Sequence, residues 1–132
     1  MSKINIFFIS VFSFLLIMSS CEKEKTPLTI TSNDGLQMRL AMTDEGYTEV
    51  ITTSIIKEEC YFSEWDKMIL TPISGLLEYY DGNDNWVASI DFGNGNCDQW
   101  ATKTWDTNIF PDYPSGSEEF SVFDIKGDKD PK

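Results

Sequence analysis

From Leu28 onward the apolar residues come in short stretches that alternate with polar ones. Leu28-Thr29-Ile30-Thr31 alternates, and Leu36, Met38, Leu40 and Met42 alternate against Gln37, Arg39 and Thr43. A period of two predicts strands in both places. Asn33-Asp34-Gly35 and Asp44-Glu45-Gly46 read as turns between them, and Tyr47 to Ile56, rich in Thr, Val and Ile, reads as a further strand. Between Cys60 and Leu70 the period changes. Phe62, Trp65 and Ile69 recur at helical spacing and Ser63 with Asp66 makes a weak capping box, which admits a one- or two-turn helix near residues 63–70.

Residues 75–105 carry the clearest architecture. Leu76 to Tyr80 predicts a strand, Asp81-Gly82-Asn83-Asp84-Asn85 a turn, and Trp86, Ala88, Ile90 and Phe92 alternate with Val87, Ser89 and Asp91, which places Trp86 in the core phase. Gly93-Asn94-Gly95-Asn96 contains Asn-Gly, whose ease with positive φ makes it a strong hairpin signal. Residues 97–105 return as the third strand of a meander, and a last strand is expected over Phe120 to Ile125 after the loop of residues 111–116. The expectation is a mostly β fold: a small antiparallel sheet or sandwich forming one domain over residues 28–126, with a frayed tail at 127–132.

The beginning of the chain has a different pattern. Met1 to Lys3 is a short positive stretch, and residues 4–18 are apolar except for Asn5, Ser10 and Ser13. A spanning helix needs roughly 20 apolar residues and a signal-peptide core about 7 to 15, so this run has the length of a signal. Met18-Ser19-Ser20-Cys21 resembles the lipobox of bacterial lipoprotein signal peptides, with Met in the position where Leu is commonest. That resemblance implies a signal peptide over residues 1–20 and a lipid on Cys21, which would hold the protein in the outer membrane, facing the periplasm or the cell surface. Residues 21–27, charged and ending in Pro27, read as an exposed tether. Glu22 to Lys25 also resemble the acidic and lysine-rich segment that accompanies surface export in lipoproteins of Bacteroidota-type bacteria, and a plain solvated spacer accounts for them equally.

Charge and composition narrow the classes of function. The 132 residues include 22 acids, 10 bases and no histidine, for a net charge of −12. The missing histidine removes the usual general base, the usual zinc ligand and every Ser-His or Cys-His nucleophile. The acidic balance argues against nucleic acid and against charge-driven lipid binding. Loss of residues 1–20 takes away Lys3 and no acid, so the mature chain carries 9 bases against 22 acids, formally −13. Stable anchorage of such a body then falls to the acyl chains, at about 0.8 kcal/mol per buried CH₂.

Of three cysteines, assigning Cys21 to lipid leaves Cys60 and Cys97. In an oxidising compartment these can pair, at roughly 4 kcal/mol in the chain-entropy model; the alternative is two buried free thiols.

Several constellations are candidates for a site. Asp81, Asn83 and Asn85 occupy the first ligand positions of an EF-hand-like loop, but Trp86 stands where glycine is required and Phe92 where a bidentate Glu should be. A looser calcium site among Asp81, Asp84, Asp91 and Asp98 is weighed against their reading as solvated turn residues. Trp65, Trp86, Trp100 and Trp105 lie close together in sequence beside acids and amides, a composition that suits sugar rings as well as a small β core. Trp100 and Trp105 are the ligand-binding candidates, Trp100 being out of phase with Cys97 and Ala101. Paired carboxylates of the glycosidase kind are a distant alternative in so small a domain.

The run from Trp86 to Trp105, with Ile90-Asp91-Phe92-Gly93-Asn94-Gly95-Asn96-Cys97-Asp98 at its centre, resembles a hairpin of small uncharacterised lipoproteins of Bacteroidota-type bacteria. The resemblance implies an exported β-rich lipoprotein and carries no catalytic residue. The expectation is a membrane-anchored, non-enzymatic lipoprotein without cofactor, which binds a protein or glycan partner and no nucleic acid. A surface glycan-binding accessory protein is the alternative.

Overall fold

The computed structural model describes residues 27–127. The expected signal peptide, Cys21, the tether up to residue 26 and the tail from residue 128 lie outside the described residues. The fold is mostly β: strands β1 (Thr29–Ser32), β2 (Thr48–Phe62), β3 (Lys67–Tyr80), β4 (Trp86–Asn94), β5 (Trp100–Trp105), β6 (Ser117–Ser121) and β7 (Phe123–Lys126), with one helix, α1 (Leu36–Asp44). Strands β2 to β6 form a five-stranded antiparallel meander in sequence order, and β1 pairs with β7 in a separate two-stranded sheet.

Register assigns the two faces of the large sheet. Tyr79 pairs with Ala88 and Ala88 with Trp105, while Leu77 pairs with Ile90 and Ile90 with Lys103. This face carries the core: Leu77, Tyr79, Ala88, Ile90, Phe92 and Ala101 are buried, and α1 packs on it through Met42. The β1–β7 pair covers the arm of the β2–β3 hairpin, where the Phe123 ring meets Phe62 at 5.0 Å and Trp65 at 5.9 Å. The opposite face presents Glu78, Ser89, Thr104 and Ser117 in one row and Leu76, Asp91, Thr102 and Glu119 in the next. Its residues are half-buried or exposed.

Five sequence expectations change. The helix lies at residues 36–44, where alternation predicted a strand. Leu-Gln-Met-Arg-Leu-Ala-Met consists of strong helix formers. Its apolar residues fall into two pairs four apart: Met38 and Met42 turn to the sheet, while Leu36 and Leu40 stay 48% and 49% exposed. Asp44-Glu45-Gly46 is the end of this helix. Gly46, at φ 89°, donates to the Thr43 carbonyl and Tyr47 to that of Met42, the double bond of a Schellman cap.

Residues 63–66 form the β2–β3 turn and β3 begins at Lys67, so there is no helix at 63–70. Phe62 ends one strand, Trp65 sits in the turn and Ile69 lies in the next strand. Their helical spacing came from wrapping around a hairpin.

Trp86 is half-buried. A bulge between the pairs Tyr79↔Ala88 and Tyr80↔Trp86 inserts Val87, and Val87, fully buried, takes the core position. The expected meander over residues 75–105 is present as β3, β4 and β5, but Asn94-Gly95 does not make a tight hairpin. Gly95 donates to the Ile73 carbonyl at 2.8 Å, and the chain runs on past the end of β4 before returning as β5. The expected last strand is two, since the chain leaves one sheet at Ser121 and enters the other at Phe123.

Candidate functional site

Cys60 and Cys97 are bridged, with Cα atoms 5.5 Å apart. Cys60 is buried in β2, so the bridge fixes the connection between β4 and β5 to the sheet. Cys21 lies outside the described residues.

Of the four aspartates named as calcium candidates, Asp81, Asp91 and Asp98 accept hydrogen bonds within their own turns, and Asp84 enters the Asp81 turn through its backbone. Asp81 Oδ1 accepts the backbone N–H groups of Asn83 and Asn85 and its carboxylate takes the Asn85 amide, bonds that hold it below the usual carboxylate range, the Asn85 side chain contributing most. Asp91 accepts from the Gly93 N–H and Asp98 from the Trp100 N–H, each at 2.9 Å. Asp84, at φ 62°, donates its backbone N–H to the Asp81 carbonyl. Among the described residues, no three His, Cys, Asp or Glu side chains are grouped to hold a metal ion.

Trp100 and Trp105 stand an odd number of residues apart on β5 and therefore on opposite faces. Trp100, paired with Ser121, is 50% exposed on the outer face. Trp105 packs half-buried against the core on the helix side.

Beside Trp105 lies a cleft of about 320 Å³. Its floor is Ala88 of β4 and Ala41 and Met42 of α1, small or flexible residues that leave room above the sheet. Its far wall is the loop after β5, which contributes Phe110 and Tyr113. That wall is tied down. The Trp105 indole N–H donates to the Tyr113 carbonyl at 2.8 Å, and the two rings meet edge-on at 6.3 Å. Phe110 is in turn held against Tyr47 at 6.3 Å.

Lys103 and Glu118 close one end of the cleft, their charged atoms 2.9 Å apart. The Lys103 ammonium also lies 6.0 Å from the Phe120 ring centroid. Beyond Lys103 and Met38 a second hollow of about 210 Å³ continues the crease, lined by Asn33, Gln37 and Ser121. The crease thus runs from an aromatic end to an amide and hydroxyl end, with one ion pair between them.

Sequence reasoning found Trp105 and missed Lys103, Glu118, Phe110 and Tyr113. One signal was present: Lys103 occupies the inward phase set by Ala101 and Trp105, and a charge there marks a place where the core opens. The contributions of the β5–β6 loop had no periodicity to reveal them.

A second polar group lies under α1. Arg39 grips Glu49 through two hydrogen bonds, and the buried Tyr79 hydroxyl donates to the same carboxylate at 2.8 Å. The guanidinium, with help from Tyr79, holds the Glu49 carboxyl below its ordinary range, while burial and the Glu49 carboxylate push the Tyr79 phenol up. These groups satisfy one another and tie the helix to the sheet.

Comparison with protein-family models, with curated proteins and with solved structures finds no match.

Proposed function

We propose that the chain is an exported lipoprotein, held in the outer membrane through lipid on Cys21, with a non-catalytic binding role whose ligand sits in the cleft beside Trp105. The pairing of Cys60 with Cys97 carries the anchor. It accounts for two of the three cysteines, leaves Cys21 for acylation and suits an oxidising compartment. It also supports the reading of residues 1–20 as a signal peptide. No described helix is long and apolar enough to cross a membrane.

The cleft supports binding because its walls are fixed before any ligand arrives, by the Trp105 hydrogen bond and the Phe110–Tyr47 contact. A preformed aromatic cleft with a few polar groups at its rim is the usual form of a small-ligand site.

The experiment is fractionation of cells expressing the full chain or its Cys21→Ser variant. The unaltered chain is expected in the outer-membrane fraction and the variant outside it, as uncut precursor or soluble protein. Equal outer-membrane retention of the two would refute the lipid anchor.

A further inference from the structure

We infer that the cleft beside Trp105 takes a neutral, hydroxyl-rich sugar ring and that Lys103 and Glu118 are its specificity-determining pair; this rests on the binding role proposed above. A pyranose presents an apolar CH face and a rim of hydroxyls. The CH face needs a rigid aromatic surface, and Trp105 is such a surface because its N–H is already spent on Tyr113. The hydroxyls need donors and acceptors side by side. Lys103 and Glu118 supply them at the end of the same cleft, an ammonium with three donors beside a carboxylate with two acceptor oxygens. Both line the cleft with side chains 31% and 60% exposed, so the bonds they do not make to each other are open to solvent or to a ligand.

Charge selects the neutral class. The paired ammonium and carboxylate add nothing net to the cleft, while a mature chain at −13 repels anionic ligands such as uronates. The same pair gives a cation no net charge to bind in the cleft, because Lys103 offsets Glu118. The volume, about 320 Å³, suits one or two rings. Trp100, on the other side of β5, takes no part.

The test is calorimetric titration of the full chain, extracted from membranes in mild detergent, with cello-, xylo-, manno-, malto- and laminari-hexaose and with hexagalacturonate. At least one neutral hexaose is expected to bind. Lys103→Ala and Glu118→Ala, both at the rim, are each expected to weaken it by about tenfold or more, as loss of a charge-assisted hydrogen bond does. Trp105→Phe should weaken it as well, and Trp100→Ala should leave it unchanged.

Tighter binding of hexagalacturonate than of any neutral hexaose overturns the neutral class. Loss of binding in Trp100→Ala with retention in Glu118→Ala overturns the site. Failure of every hexaose overturns the sugar, and if the chain is still released from the membrane by Cys21→Ser, the anchored reading stands without it.

Discussion

Arg39 of α1 and Glu49 of β2 form a bidentate pair, Nε to Oε2 at 3.0 Å and a terminal guanidinium nitrogen to Oε1 at 2.6 Å. They lie ten positions apart in the chain, yet the pair fixes the helix against the sheet, and with it the helical part of the cleft floor. Glu49→Ala leaves both the guanidinium and the buried Tyr79 hydroxyl without their acceptor. It should cost roughly 2–3 kcal/mol in urea denaturation. Tyr79→Phe removes one neutral donor and leaves the ion pair, so its loss should be nearer 1 kcal/mol.

The same pair sets an acid limb. Because the folded Glu49 carboxyl titrates below its ordinary value of 4.5, its contribution to stability is present above that pH. It is lost as pH falls through the lower folded value. The urea midpoint of the unaltered protein should therefore drop more steeply below about pH 4.5 than that of Glu49→Gln. Parallel acid limbs in the two proteins would contradict this.

Two glycines separate strain from collision. At Gly75, φ is 133° and an added Cβ would lie 2.7 Å from the Ile55 Cα, because β2 presses on β3 where its register shifts. Gly75→Ala should cost more than about 2 kcal/mol. At Gly46 an added Cβ meets nothing within 4 Å, and only the left-handed backbone objects. Gly46→Ala should cost about 1 kcal/mol, read as a shift in thermal midpoint.

Removing the bridge by Cys60→Ala with Cys97→Ala should lower stability by about 2–4 kcal/mol. Non-reducing peptide maps of the native protein should show the two peptides joined, and alkylation of either cysteine without reductant would contradict the bridge.

Much of the large sheet was legible because Ala88, Ile90 and Phe92 keep one phase over a face that is buried, and Asp81 and its neighbours carry turn chemistry. The helix was not legible from period, because Leu36, Met38, Leu40 and Met42 satisfy a two-residue alternation and two four-residue pairs at once. Propensity was the deciding signal, together with Gly46 as a cap. Val87 displaced Trp86 through a bulge, which local pattern does not encode. The cleft was half legible. Trp105 stood out by residue type, but its pairing with a loop carbonyl at Tyr113, and the meeting of Lys103 with Glu118, depend on how β5 and β6 register across the loop between them.

On the proposed reading Cys21 carries lipid while Cys60 and Cys97 are joined, and the intact mass of the protein extracted from outer membranes distinguishes that state from an unprocessed chain. The predicted result is a chain beginning at Cys21, increased by a diacylglyceryl group and an N-terminal acyl chain, and lighter by two hydrogens for the bridge. A chain that begins at Met1, or at any other residue, with no acyl mass on Cys21 would rule out the lipid anchor.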